Sequence, residues 1–355
     1  MEKRFMKGCE AIAEAAVLGG CRFFAGYPIT PQNEIPEYLS WRLPQVGGAF
    51  VQGESEVASI NMVYGAAATG KRALTSSSGP GISLKAEGIS YLASAQLPAV
   101  IVNISRGGPG LGSIQPAQSD YLQATKALGH GGFRAMVFAP ATLQEAVDLT
   151  YNAWECAERY RNPVMILMDG CLGAIMEEVV LPPMKDLSCD ATKEWSLDKV
   201  DGRAEPHMIT PILPEPILEK LNAGKGMQYK LWEKLDTKVE EFMLEDAEYV
   251  VVAYGIAARV AKEAILKLRD EGFKVGMIRP ITLYPFPKAS LAGLDYTKVK
   301  GVIDIEMTIP AQMREDIELQ VKDRCPVYEY GRSGGVLLDD EGVYEAIAKI
   351  VKEGK

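Results

Sequence analysis

Two doubly wound parallel-sheet α/β domains are predicted by three observations. Strand-length apolar runs alternate with stretches of helical spacing. That alternation breaks down once, in a proline-rich middle. The chain, at 355 residues, is longer than one hydrophobic core usually organises. The predicted division is a first domain over residues 1–180, an irregular linker over 181–246 and a second, smaller domain over 247–355.

In the first domain, residues 7–18 read as an amphipathic helix that stops at Gly19-Gly20. A short buried strand follows at 22–26. Residues 31–43 read as a helix with Thr30 as its N-cap and Pro31 in its first turn. Strands are expected at 50–52, 72–76, 99–105 and 164–168, and helices at 56–69, 82–94 and 142–159. Strands separated by helices imply a parallel sheet covered on both faces. The middle carries prolines at 182, 183, 206, 211, 214 and 216, with room for one helix within the charged stretch 225–245. Alternation resumes with strands at 248–254, 274–279 and 300–306 and helices at 257–271 and 341–352.

Composition narrows the function classes. The net charge is −9, from 47 acidic and 38 basic residues, and no basic run suits nucleic acid. No apolar run approaches the ~20 residues of a membrane span, and no apolar signal core opens the chain, so a cytoplasmic protein is expected. The six cysteines, Cys9, Cys21, Cys156, Cys171, Cys189 and Cys325, form no CxxC pair and suit neither a zinc site nor an iron–sulfur cluster. His130 and His207 are the only histidines, which disfavours a histidine metal site or a Ser-His-Asp triad.

Four segments could carry chemistry, and each has a plain structural reading beside the functional one. GYPITPQNE (26–34) is either a proline-stiffened helix cap or a ligand turn at the carboxyl end of a strand. GESEVASINMVYG (53–65) opens a small-residue helix with Glu54 and Glu56. Either these favour the helix dipole, or one is a carboxyl at the edge of a dry site. TSSSGPG (75–81) is a glycine-rich loop that lets backbone approach a ring or phosphate, but Lys85 is misplaced for a Walker A motif. NISRGGPGLG (103–112) ends a strand in Arg106, suited to a surface ion pair or to a substrate carboxylate.

In this order the four segments resemble the α subunits of 2-oxoacid:ferredoxin oxidoreductases, most of all the branched-chain (2-oxoisovalerate) type. The resemblance runs through GYPITPQNEIPEYLS, ESEVASINMVYGAA, SSSGPGISLKAEGISY and RGGPGLGSIQPAQSDY, and returns in AYGIAARVAKEAI and IRPITLYPFP. It implies a pyrimidine-binding domain for thiamine diphosphate followed by a transketolase-C-like domain. The family's catalytic glutamate, which meets N1′ of the aminopyrimidine, is followed nine residues later by glycine. Glu56 with Gly65 fits that spacing, and Glu54 does not. The resemblance also implies that Thr30 and Arg106 bind substrate, and that Pro28, Ile29, Ser77, Ser78, Gly79 and Pro80 line the cofactor. It implies CoA-dependent oxidative decarboxylation of a branched-chain 2-oxoacid, with 2-oxoglutarate or pyruvate as alternatives.

The usual GDG motif for the diphosphate and Mg²⁺ is missing. Asp169-Gly170 and Asp201-Gly202 lack the leading glycine. The expectation is therefore a β subunit carrying that motif, γ and ferredoxin-like subunits carrying iron–sulfur clusters, and ferredoxin as acceptor. A non-catalytic scaffold with two Rossmann-like domains is the competing reading. His130 is open between the site and a turn, and Arg279 is expected in a structural ion pair.

Overall fold

The computed structural model of the chain describes residues 2–187, 193, 195–197 and 213–353. Its first elements are β1 (Glu2–Lys7), α1 (Gly8–Leu18), β2 (Phe23–Gly26), α2 (Glu34–Gln45), β3 (Ala49–Gln52), α3 (Glu56–Ala68), β4 (Ala73–Ser77) and α4 (Gly79–Ser94). These lead into β5 (Val100–Gly107), β6 (Ser113–Pro116), α5 (Tyr121–Thr125), β7 (Met136–Phe138), α6 (Leu143–Tyr160), β8 (Val164–Asp169), α7 (Gly170–Ala174) and β9 (Met176–Leu181). The rest are α8 (Glu215–Leu235), β10 (Val239–Phe242), β11 (Tyr249–Ala253), α9 (Gly255–Asp270), β12 (Val275–Pro280), β13 (Thr282–Tyr284), α10 (Lys288–Ala292), β14 (Gly301–Glu306), α11 (Arg314–Val321), β15 (Val327–Gly331) and α12 (Asp340–Glu353).

The larger sheet has the order β13-β7-β8-β5-β4-β2-β3. Its strands β2, β3, β4, β5, β7 and β8 are parallel. Every residue of β5 is buried, and its side chains alternate between two apolar cores. Val100, Val102 and Ile104 face the core under α1, α2 and α6, whereas Ile101 faces the one under α3 and α4. A strand covered on both faces reads as an unbroken apolar run, which is why this one was legible. The second sheet, β10-β12-β11-β14-β15, is parallel except for β10.

Three expectations need correction. The stretch 181–246 is not wholly irregular: it carries β9's last residue, the 21-residue helix α8 and strand β10. Buried Trp232 seats α8 against Tyr160 and Tyr284, a tertiary contact that the proline count hides. Second, β13 lies within 247–355, the stretch expected to form the second domain, yet it pairs antiparallel with β7 of the first sheet. Third, the helix after GYPITPQ starts at Glu34 rather than Pro31, so Thr30 is not its cap. Gln32 is fully buried and accepts from Ser76 Oγ at 2.5 Å, which holds residues 31–33 out of the helix. Cys189, His207 and Asp201 lie outside the described residues.

The two sheets share a core. Ile101, Val137 and Leu167 belong to the same apolar cluster as Val250, Ile278 and Val302. Gln118 pegs the units together. Its Nε2 donates to the Tyr254 carbonyl at 2.8 Å, and its Oε1 accepts from the Met307 N–H at 3.0 Å. Nearby, Tyr121 Oη donates to Asp316 Oδ2 at 2.6 Å. Arg279 pairs with Glu145 and Glu240, as expected of a structural ion pair.

On β14, Asp304 and Glu306 occupy successive inward positions and are both fully buried. Glu306 Oε1 accepts from the Met313 N–H at 2.8 Å, just before α11. Burial raises both carboxyls, Asp304 well above the ordinary range and Glu306 to about 7.

Two outcomes follow. Gln118→Leu leaves the buried Met307 N–H without its acceptor and the Tyr254 carbonyl with the Ala258 N–H alone, and is expected to cost about 1–3 kcal/mol, read from urea unfolding. The raised carboxyls favour the neutral form in the folded chain. Their stabilisation is complete below the unfolded value near pH ~4. Glu306's share is lost as pH rises through about 7. Urea midpoints at pH 5 and pH 8 should therefore differ less in Asp304→Asn/Glu306→Gln than in the parent chain.

Candidate functional site

Strands β2, β4 and β5 are neighbours, so their carboxyl ends open side by side, where ligands bind in open α/β sheets. Loop 27–33 leaves β2. Pro28 is exposed, Ile29 and Thr30 are half-buried, and Gln32 anchors the loop to β4 through Ser76. Gln32 was not anticipated, because a polar residue in a proline-rich turn carries no pattern that announces burial.

At the end of β4, Ser77, Ser78 and Gly79 are buried. Ser78 stands at the N-cap of α4 with extended backbone, yet its hydroxyl caps nothing. Among the described residues, Ser77 Oγ and Ser78 Oγ have no hydrogen-bond partner. Unpartnered buried hydroxyls are uncommon and ask for an explanation. The helix begins at Gly79, so the predicted loop 75–81 is in fact the end of β4, the N-cap Ser78 and the start of the first helical turn.

The two carboxyls of the GESE segment part company. Glu54 is exposed, whereas Glu56 is 7% exposed at the first turn of α3. Ser55 Oγ caps that helix by accepting from the Ala58 N–H at 3.1 Å. Glu56 lies against Gly81: a Cβ there would stand 2.8 Å from Glu56 Oε1 and 2.1 Å from Ser77 Oγ. Glycine at 81 therefore leaves room for both the carboxyl and the hydroxyl beside the first turn of α4. Gly65 lies on the exposed side of α3 with open space beside it.

Arg106 ends β5 and is 7% exposed, so the surface ion pair is not what forms. Its Nη1 donates to the Thr30 carbonyl at 2.9 Å and its Nη2 to the Leu111 carbonyl at 3.1 Å. Among the described residues, its buried Nε has no partner. Arg106 and Thr30 are thus brought together, through Thr30's backbone. Asp120, missed at first, sits beside them inside the quoted QPAQSDY run. Its Oδ2 accepts from Asn103 Nδ2 at 3.0 Å. Burial pushes its carboxyl up, against the bond from Asn103 and the charge of Arg106. Gly79, Pro80, Leu84, Arg106, Asp120 and Thr308 line a cleft of about 680 Å³, so the second unit supplies one wall.

Other candidates lie elsewhere. His130's carbonyl accepts from Ser90 Oγ, and the residue borders a separate cavity under α8. Asp169 caps α7 and accepts from the Ile256 N–H at 3.0 Å, a joint between the units. Burial raises Cys21, Cys156 and Cys171 to about 12, so these thiols stay protonated.

Gly81→Ala is expected to force Glu56 and Ser77 apart. Overpacking of this kind costs about 1–3 kcal/mol, read as a lowered urea midpoint.

Comparison with known proteins completes the picture. Residues 14–242 match the family described as pyruvate flavodoxin/ferredoxin oxidoreductase, thiamine diphosphate-binding. Residues 247–343 match pyruvate:ferredoxin oxidoreductase core domain II. The chain is 45% identical to ketoisovalerate oxidoreductase subunit VorB of Methanothermobacter marburgensis, over 99% of each chain. It is 34% identical to 2-oxoglutarate synthase subunit KorA of Methanocaldococcus jannaschii, over 98% of this chain and 100% of that one. Among solved structures it resembles the 2-oxoglutarate:ferredoxin oxidoreductase of Magnetococcus marinus, with a TM-score of 0.80 and 26% identity. That match covers 98% of this chain and 65% of that one. On these findings the chain belongs to the 2-oxoacid:ferredoxin oxidoreductase family, as a subunit of the α type.

Proposed function

We propose that this chain is the α subunit of an enzyme that oxidatively decarboxylates a branched-chain 2-oxoacid to its acyl-CoA and passes the electrons to ferredoxin. The observation that carries the reading is the convergence of Glu56, the Thr30 loop, Arg106 and two unpartnered hydroxyls at the ends of adjacent strands. The proteins named ketoisovalerate oxidoreductase subunits, 45% identical, support the branched-chain substrate. The 2-oxoglutarate relatives and solved neighbour support a second reading, the same reaction on 2-oxoglutarate.

The residues fit the aminopyrimidine half of thiamine diphosphate. Gly79 lines the cleft and carries no side chain, so a flat ring can approach its backbone. Ser77 Oγ and Ser78 Oγ offer unused hydrogen-bonding capacity. When bound, the cofactor supplies the electron sink for loss of carbon dioxide. Glu56 is the buried carboxyl that holds or yields a proton at the ring nitrogen N1′. Ser77, Ser78, Gly79, Pro80, Pro28 and Ile29 orient the ring. Arg106 and Thr30 receive the substrate carboxylate, for which the buried, unpartnered Nε of Arg106 is suited.

A β subunit would bring the diphosphate and Mg²⁺ site, and γ and ferredoxin-like subunits the iron–sulfur clusters. Val57, Leu84 and Leu111 are 46%, 53% and 83% exposed around the site, and apolar groups left open in this way suit a covering partner. The proposed division of labour keeps residues 1–180 as the pyrimidine-binding part and 247–355 as the transketolase-C-like part, in a cytoplasmic complex.

The test is co-expression with the partner chains and viologen reduction with CoA, thiamine diphosphate and a panel of 2-oxoacids. Reduction with 2-oxoisovalerate is expected. Glu56→Gln should lower kcat about 10²–10⁴-fold. Arg106→Leu should raise KM for the 2-oxoacid about 10–100-fold. Preference for 2-oxoglutarate would move the reading to the second substrate. No turnover of any 2-oxoacid by a cluster-loaded complex would favour a scaffold.

A further inference from the structure

The cleft beside Arg106 is walled unevenly. Among the described residues that line it, Arg106 and Asp120 are the charged ones. Arg106 is the group proposed for the carboxylate that every 2-oxoacid carries. Asp120, an acid, offers no counter-charge to a second one. Three large aliphatic side chains line the same cleft, each from a different part of the chain: Leu84 of α4, Leu111 of the glycine-rich loop and Ile309 of the segment after β14. They are 53%, 83% and 61% exposed. Leu111 is tied to the arginine itself, because Arg106 Nη2 donates to its carbonyl at 3.1 Å. Ile309 is placed by the second unit. Its segment is fixed at one end by the bond from the Met307 N–H to Gln118 and at the other by the bond from the Met313 N–H to Glu306.

We infer that Leu111 and Ile309 are specificity-determining residues that receive the hydrocarbon side chain of the 2-oxoacid. The cleft, whose described lining residues hold no second cation, then turns away 2-oxoacids bearing a second carboxylate. This rests on the reading of Arg106 as the group that takes the substrate carboxylate. The account is one of desolvation. Each carbon placed against an aliphatic wall is worth about 10-fold or more in kcat/KM. A second carboxylate at the same wall loses its water and meets no opposing charge. A subunit that covers the rim closes this wall over the substrate.

Both side chains are largely exposed, so they can be replaced without opening the core. In the assembled complex, kcat/KM is measured by viologen reduction for 2-oxoisovalerate, pyruvate and 2-oxoglutarate. Leu111→Ala/Ile309→Ala should lower the ratio of 2-oxoisovalerate to pyruvate about 10-fold or more. Ile309→Lys supplies a second cation and should raise the ratio of 2-oxoglutarate to 2-oxoisovalerate about 10-fold or more. Ile309→Met, long but uncharged, should not. Ratios unchanged in these variants would overturn the inference and leave the functional reading intact. A parent complex that prefers 2-oxoglutarate would overturn it as well, and would move the functional reading to its second substrate. A complex that turns over no 2-oxoacid would sink the functional reading, and binding then decides the inference. With ¹³C-methyl-labelled isoleucine in the complex, the Ile309 signal is assigned by its loss in Ile309→Met. It should shift and saturate with 2-oxoisovalerate but not with 2-oxoglutarate, and the shift should vanish in Arg106→Leu. A signal that 2-oxoisovalerate leaves unmoved would end the inference, whatever the activity.

Discussion

The site depends on how closely α3 can lie on α4. Two glycines of α4 set that distance. At Gly81 a Cβ would meet Ser77 and Glu56, and at Gly88 it would stand 2.5 Å from Ile60 Cγ2. Without those methyls the first turn of α3 comes down onto the first turn of α4. The carboxyl of Glu56 is then held beside Gly81, next to the end of β4. The helix needs its own anchor to keep this register, and the Ser55 cap supplies it. Sheet geometry does the remainder, because parallel strands deliver every loop of interest to one edge.

A second constraint comes from the other unit. The segment after the glycine-rich loop carries Gln118, Asp120 and Tyr121, which face three directions. Gln118 and Tyr121 are bonded to residues of the second unit, and Asp120 turns back to Asn103 beneath the cleft. A peg with four polar groups satisfied is rigid, and a rigid peg fixes the residue beside it. The second unit is therefore a wall of the cleft, through Thr308 and Gln312, as well as a neighbour of it. The shared apolar core between the sheets makes that wall part of the fold.

Legibility varied with the kind of signal. Apolar alternation located the main strands of both sheets to within a residue or two, since burial on both faces leaves an unmistakable run at β5 and β11. Short strands such as β6, β7 and β13 were missed, because a few residues carry no period. Lys85, fully buried in α4, was readable in principle: a lysine inside an apolar stripe is an anomaly, and only its misfit to a phosphate loop was noticed. Gln32 and Asp120 had no such marker.

By itself the sequence determined the class of fold and the order of the four segments, because period and glycine placement are properties of the chain alone; between Glu54 and Glu56 it left the choice to the family resemblance. The tertiary structure decided the rest. It withdrew Thr30 from the helix by burying Gln32, turned Arg106 inward onto two carbonyls, and brought residues some 190 positions apart to one cleft. Those outcomes depend on which buried polar groups find partners. Partnership is a property of space, and a linear pattern does not record it.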